Sequence, residues 1–586
     1  MATYLGTSAV FEVRSGATAG NLGGGGFNPA NTHFIANWTA TNANTASPVV
    51  SSVSYSFVAG DVGAYFYVKS GTSWTPGWYP IASVSGGNAT LNAAIGAAIQ
   101  VVSGRYQPSA VAGCATVASP TAGNCGIDYS QQNAAQFTAT DLTGATTTCT
   151  SATNPFGPQH AGNFLCLASG TGVTAGWYEI VSISGVTATI DRTAGTTYSA
   201  VTYYLGGAVS LGGSTTGITD TIFFALGGTG TATGSGRFFI KGNATYVLSG
   251  TVSAAAAGNA AWPAIWEGYN AVRGDRPSIT SGSQPILNTG ANSINCGTYV
   301  QFYSIYFLGT GSPVFSNTSG ANNLFYNCKM VNTSPTNNHG CFSDGGGSSV
   351  VVGCEFVSYS GYGISGANGQ PTYIIGCYVH DCGVQGLSLA GQNVAVNNLV
   401  VSCAQGIVCN QNAVNLVYGN TVYGTEAKAG VGITTPTSIG LFFNNILYGG
   451  ASGYGGSATN LAGLSDYNCF FNNTANIAGT LTNTFLGPHD LTAINPSFTS
   501  ISQVTGTTAT SATNVLTDSG QNFTTAGVVA GRDYLHVVSA TGATVGIYGI
   551  TAVGTTTITT DNTIGTGSAI TYFITINRNL LPTGAV

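Results

Sequence analysis

Charge is what this chain has least of. Only 5% of its 586 residues are Asp, Glu, Lys or Arg, against about 25% in an ordinary soluble protein. Its 12 Lys and Arg are scattered and form no run that a nucleic acid or an anionic membrane could grip, so no nucleic-acid partner is expected. No apolar run reaches the roughly 18 residues a bilayer crossing needs, and no membrane span is expected. The opening MATYLGTSAVFEVRSG has neither the basic nor the apolar region of a secretory signal. There is no CxxC pair, Cys/His cluster of zinc spacing, DxDxDG loop, HExxH or GxSxG, so neither a metal nor a cofactor is expected. Long amphipathic helices are missing too; only VSAAAAGNAAWPAIW at 252–266 offers a short helical turn or a cover for an open end.

What is plentiful is glycine, 85 residues, together with 29 Tyr, 26 Phe and 6 Trp. Disordered chains are short of aromatics and rich in charge, the reverse of this composition. The length suffices for a large core. The balance describes a rigid all-β object whose surface is hydroxyls and amides.

Seven segments between 320 and 472 repeat one pattern: LFYNCKMV, VVVGCEFV, TYIIGCYV, VAVNNLVV, LVYGNTVY, LFFNNILY and SDYNCFFN. Their anchors are Cys328, Cys354, Cys377, Asn398, Asn420, Asn445 and Asn468, at successive steps of 26, 23, 21, 22, 25 and 23 residues. Short strands at such a period, punctuated by Gly, Asn and Ser, form a coiled parallel sheet. The anchors belong where the backbone turns between sheets. An Asn there bonds its amide to the same residue on the next rung, a structural ladder.

A second repeat flanks the coil. Residues 38–96 align with 137–195 at a constant offset of 99. In this alignment Gly77-Trp78-Tyr79 matches Gly176-Trp177-Tyr178, and a weaker third copy carries Gly546 and Tyr548. Alternating apolar and polar residues around Gly-rich turns predict small antiparallel barrels or sandwiches. The predicted fold is therefore all-β: a right-handed parallel β-helix flanked by two N-terminal antiparallel modules and one C-terminal module. The boundaries read 1–37 Gly-rich segment, 38–100 first module, 101–136 linker, 137–206 second module, 207–500 β-helix and 501–586 third module. TIFFAL, RFFIKG, ATYVLSG and YVQFYSIYF, between 220 and 310, supply the first, less regular rungs. An uncovered rung is a template for edge pairing, and the modules are placed to cover the ends.

Among the 13 cysteines, Cys328, Cys354 and Cys377 share one column of the coil, and Cys382 and Cys403 share another. Stacked in this way they act as buried small hydrophobes. Cys114 with Cys125, and Cys149 with Cys166, are the pairs open to disulfide formation. The odd count leaves one thiol free or paired between chains.

Carboxylates within the coil are Glu267, Asp275, Asp344, Glu355, Asp381, Glu426, Asp466 and Asp490. Glycoside hydrolysis needs two of them about 5–9.5 Å apart, and neighbouring rungs lie about 4.8 Å apart. Glu355 has Lys329 below it and Tyr378 above, which reads as a surface ion pair. Asp381 stands among Ser358 and Ser402 with no second acid in its column. His380 is the leading candidate for a general base, so His380, Asp381 and Glu355 are the candidate catalytic residues against a structural or solvent-facing role. Asp344 reads as a loop-tip turn residue and Asp466 as a turn cap. Tyr359, Tyr362, Tyr373 and Tyr378 are candidate sugar-stacking platforms, or ordinary core and surface tyrosines.

The opening FEVRSGATAGNLGGGGFNPA, the segment GIDYSQQNAAQFTATDLTGATTT and GTGVTAGWYEIVSISGVTATIDR followed by YYLGGA resemble the start of a group of phage structural proteins. Those proteins place a Gly-rich head and a GWY-type module before a right-handed parallel β-helix. The rungs and the closing GPHDLTAINPSF resemble the wider pectate-lyase-like superfamily. An extra module copy at about 31–125 departs from the head arrangement. The resemblance implies a virion surface role as a tail spike, head fibre or decoration protein. Its partners would be other virion proteins, cell-surface carbohydrate and copies of itself, a homotrimer being favoured by closed symmetry. Fold alone conveys no lyase activity, and no lyase motif is present to carry over. The competing expectations are a polysaccharide-degrading tail spike, by hydrolysis or elimination, and an extracellular adhesin or filament subunit.

Overall fold

A computed structural model of the chain describes residues 10–17, 25–95, 121–208, 236–248, 251–255, 263–496 and 503–575, less 44, 73, 94, 272, 280, 312, 318–321, 335–339, 346, 367–369, 410–413, 425–430, 436–438, 457–463, 480–485, 493 and 531–532. TIFFAL, Glu426, Cys114 and residues 256–262 fall outside the described residues; the described ends of the 252–266 stretch lie in the strands Val252–Ala255 and Ala264–Tyr269, which corrects the expected helical turn. The chain divides into two compact units. One holds 1–277, 283–287 and 297–305; the other holds 278–282, 288–296 and 306–586.

In the first unit two closed six-stranded antiparallel barrels form, from Ile35–Asp128 and Phe137–Leu205. Apolar side chains alternate inward around Trp38, Phe66 and Tyr79 in one, and around Leu165, Tyr178 and Tyr203 in the other. The expected linker at 101–136 needs correction, because Thr121–Asp128 is the sixth strand of the first barrel. It pairs with both Ile35–Thr41 and Tyr65–Thr72, closing two edges that five strands would leave open. Cys125 and Ile127 point into the core. The boundary at 37 is also corrected: Val10–Val13 pairs in parallel with Arg237–Lys241, which pairs in parallel with Ala264–Tyr269 and that with Val300–Tyr303. Phe11, Phe238, Trp266 and Phe302 stack in register on the buried side.

The second unit contains the regular parallel β-helix, three sheets of short parallel strands whose neighbours are one rung apart. Phe325, Val351, Ile374, Ala395, Val417 and Phe442 form one inward column and are buried. Immediately before each anchor the backbone turns sharply through a left-handed residue. Asn327, Gly353, Gly376, Asn397, Gly419, Asn444 and Tyr467 have φ of 53°, 59°, 60°, 53°, 66°, 56° and 59°. Gly and Asn tolerate that region, which explains six of the seven.

The anchors follow directly. Asn398 Nδ2 donates to Asn420 Oδ1 at 2.9 Å, Asn420 Nδ2 to Asn445 Oδ1 at 3.1 Å, and Asn445 Nδ2 to Asn468 Oδ1 at 3.0 Å. Each Oδ1 also accepts the backbone N–H of the anchor one rung before it. In the cysteine part of the column, Cys354 Sγ accepts from Cys328 N at 3.3 Å. A third closed barrel, Gln503–Thr575, completes this unit. Numbered from one to six within each barrel, the strands of all three neighbour one another in the same cyclic order, 1-2-5-4-3-6. All twelve cysteines among the described residues are free thiols and buried, so Cys149 and Cys166 are not bridged.

Candidate functional site

The three catalytic candidates meet in one place. The register puts Lys329 beside Glu355 and Val357 beside His380 on the outer face of one sheet. His380 Nδ1 lies 2.6 Å from Asp381 Oδ2, and its Nε2 lies 3.1 Å from Glu355 Oε1. Lys329 Nζ lies 3.2 Å from the same Glu355 oxygen.

This face is covered by the C-terminal barrel. Its Tyr534 packs against Val331 and Val357 and sits edge-on to His380, with Lys329 Nζ over its ring. His536 Nε2 reaches Asp381 Oδ1 at 3.0 Å, and Tyr359 Oη donates to the Val545 carbonyl. The Lys329–Glu355 pair is thus a buried pair, correcting the surface reading: the covering module is some 180 residues away in sequence and invisible to a rung-by-rung count. Asp381 likewise has partners that its own column does not supply. Burial works against the Asp381 charge, but His536 and His380 outweigh it and hold the carboxyl well below its ordinary value. Sequence reasoning missed His536 altogether, since nothing in its strand YLHVVSAT marks it.

The remaining acids separate. Asp344 is no loop tip: it ends the strand Phe342–Asp344 and is buried, accepting from Asn317 Nδ2 at 2.9 Å and Thr372 Oγ1 at 2.8 Å. Burial pushes its carboxyl up to about 6. In the first unit, Glu12 and Asp128 are buried around Arg273, at 3.0 and 2.8 Å. Gln131 and Tyr269 also bond Glu12, so that cluster ties the N-terminal strand to the first barrel and a rung.

Of the candidate platforms, Tyr373 is exposed, Tyr359 and Tyr362 are half-buried, and Tyr378 stacks on His380 at 4.2 Å. A different aromatic group stands on the rung of the last anchor. Tyr467 lies parallel to His489, centroids 4.6 Å apart and planes 6° apart. His489 Nδ1 is 2.8 Å from Asp466 Oδ2. Desolvation nudges the Asp466 carboxyl upward, but the hydrogen bonds from His489 hold it below the usual range. On the rung before, Asn444 Nδ2 donates to Tyr418 Oη at 2.9 Å. Among the described residues no group of three or more His, Cys, Asp or Glu is arranged to hold a metal ion.

No protein-family model and no curated protein matches the chain. Solved structures do. A mannuronic acid specific polysaccharide family 6 lyase from human gut microbiota matches at 12% identity over 44% of this chain and 74% of its own, with a TM-score of 0.32. Pectate lyase Pel9A matches at 13% identity over 45% and 74%, TM-score 0.27. A tailspike variant of E. coli bacteriophage HK620, solved with a pentasaccharide, matches at 11% over 59% and 87%, TM-score 0.25. The fold assignment stands on the chain's own strand register, and no helix among the described residues is long and apolar enough to cross a membrane.

Proposed function

We propose that this chain is a structural virion surface protein, a spike, fibre or decoration protein that contributes to attachment to host carbohydrate and works as a homotrimer. The observation that carries this reading is the use made of the candidate catalytic residues. Glu355, His380 and Asp381 are spent on seating the C-terminal barrel against the β-helix, where Tyr534 and His536 cover them. Groups engaged in this way fix one module on a shaft, the mechanical need of an appendage. The Asn ladder and the near absence of surface charge suit a stiff, inert shaft. Gold-labelled antibodies against the chain, imaged on native particles from its source, test the location. Regular labelling of heads or tails is expected; label on cells or free fibres with none on virions would replace this reading with an adhesin or filament subunit. Light scattering of the purified chain is expected to give the mass of three copies.

A polysaccharide-degrading spike is the second reading. It is favoured by His489, an exposed imidazole oriented by Asp466, an arrangement suited to proton transfer. Release of new reducing ends from a bound polysaccharide would favour it over the first.

A further inference from the structure

We infer that the rung of the last anchor carries a binding site for a neutral sugar, a hexose or N-acetylhexosamine, stacked on the outer face of the Tyr467–His489 pair and held from the side by Asn444 and Asp466. This rests on the attachment reading above and names the place where attachment occurs.

The first observation is backbone strain without a structural return. Six of the seven turn positions before the anchors are Gly or Asn, and the seventh, Tyr467, holds a φ of 59°. A side chain other than Gly or Asn in that region costs about 1–2 kcal/mol. Such outliers persist where the surroundings or the function demand them. Packing is a poor account, because Tyr467 remains 56% exposed. Asn or Gly at 467 would relax the turn and give up the ring's contact with His489.

The second observation is what surrounds the ring. His489 lies flat against Tyr467 and its side chain is 57% exposed. The Asp466 carboxylate accepts both the His489 backbone N–H at 2.8 Å and the ring Nδ1 contact, so the imidazole cannot swing away. Stacked in parallel, each ring covers one face of the other, and the pair offers a ligand a rigid outer aromatic face. One rung below in the same turn column, about 4.8 Å away, Asn444 is exposed and orders the hydroxyl of Tyr418, itself 41% exposed. Exposed aromatic faces with amide, carboxylate and hydroxyl groups beside them match the apolar face and hydroxyl edge of a pyranose. Two rungs span the length of about a disaccharide.

The third observation selects neutral over acidic sugars. Asp466 and Asp490 both face this rung, the latter accepting from the Asn468 backbone N–H at 2.7 Å. Between residues 330 and 531 the sequence has seven carboxylates and a single basic residue, Lys428. A uronate brought to the rung would meet like charge with no arginine to receive it.

The test uses the full chain on an array of neutral bacterial surface oligosaccharides and of uronate oligomers. The best-bound glycan is then titrated calorimetrically into wild type, Tyr467→Asn, His489→Ala and Val414→Thr. Tyr467→Asn places at 467 the residue the same turn uses at 327, 397 and 444, so it folds. The expected result is binding of neutral glycans, at least tenfold weaker in Tyr467→Asn and in His489→Ala, with the unfolding midpoint of Tyr467→Asn equal to or above wild type. Val414→Thr, an exposed change elsewhere on the same sheet, is expected to bind as wild type. Undiminished binding by Tyr467→Asn would overturn the site and leave the attachment reading standing. Preference for uronate oligomers would overturn the ligand class. A wild type that binds no glycan would overturn the site and the carbohydrate-attachment reading together.

Discussion

His536 in the C-terminal barrel and Asp381 on the β-helix are joined by a 3.0 Å contact between Nε2 and Oδ1, with both side chains almost wholly buried. His380 approaches the other Asp381 oxygen at 2.6 Å, so one carboxylate sits between two imidazoles. Replacing Asp381 by Asn keeps the shape and removes the charge both rings face. Breaking a buried pair from one side costs about 3–5 kcal/mol. The expected outcome for Asp381→Asn is early loss of the C-terminal barrel's native signal in a denaturant titration, with the β-helix transition less affected. The acid dependence has a definite sign. Because the folded carboxyl lies well below its unfolded value, its contribution is complete above that unfolded value and is lost as the pH falls through the folded one. The gap between wild type and variant therefore persists until the pH drops below about 4.

The asparagine ladder makes a sharper prediction about chemistry at one position. Asn420 Oδ1 accepts from Asn398 N and Nδ2, and its own Nδ2 donates to Asn445 Oδ1 and to the Ala395 carbonyl at 2.9 Å. Asn420→Ala strands buried donors on the neighbouring rung, each worth about 1–3 kcal/mol. A loss of about 3 kcal/mol is expected, read from the guanidinium unfolding midpoint. Asn420→Cys is expected to lose less, because a thiol already accepts the corresponding backbone N–H lower in the column, at Cys354.

The β-helix was legible because its information repeats. An αL residue followed by an anchor recurs every rung, and each recurrence tests the others. Register followed from the same count, down to Lys329 beside Glu355 and Tyr378 above it. What stayed hidden was contact between elements that share no period. The sixth strand of the first barrel lies beyond a long insertion after Asn88–Leu91, whereas its counterpart Tyr198–Leu205 follows Thr187–Ile190 closely. Tyr534 and His536 come from another module, so the burial they impose on Glu355 and Asp381 leaves no trace near those residues. Asp344 looked like a loop tip because HGCFSDGGGSS is rich in turn formers, yet three neighbouring rungs supply Asn317, Ser349 and Thr372 around it.

Asp344 supplies a pH dependence of the opposite sign to Asp381. Burial raises its folded carboxyl from the ordinary value to about 6. The stability it contributes is complete below the unfolded value near 4 and is lost as the pH rises through about 6. Asp344→Asn keeps an acceptor for Asn317 and removes the titration. At pH 4 the variant is expected to match wild type. At pH 8 it is expected to be more stable by about 2–3 kcal/mol, at 1.36 kcal/mol per pKa unit. Urea midpoints at the two pH values check this, and a variant no more stable at pH 8 would contradict it.

The three barrels share a device that alternation alone does not require. Tyr79 Oη donates to the Thr75 carbonyl, Tyr178 Oη to the Thr174 carbonyl and Tyr548 Oη to the Thr544 carbonyl, each at 2.7 Å and each four residues back. In every copy the strand carrying the tyrosine then breaks register at one place: between Ile81 and Ser83, Ile180 and Ser182, and Ile550 and Ala552. The hydroxyl pins the turn that enters the strand, and the irregularity bends the strand around the closed sheet. Removing only the hydroxyl, as in Tyr178→Phe, deletes one hydrogen bond worth about 1 kcal/mol and leaves the ring packed. Tyr79→Phe and Tyr548→Phe are expected to cost a similar amount in their own barrels, measured by hydrogen exchange of the strand amides. Equal costs at three widely separated positions would mean the turn, more than its local neighbours, determines barrel closure. A cost confined to one copy would assign the bond to that copy's packing instead.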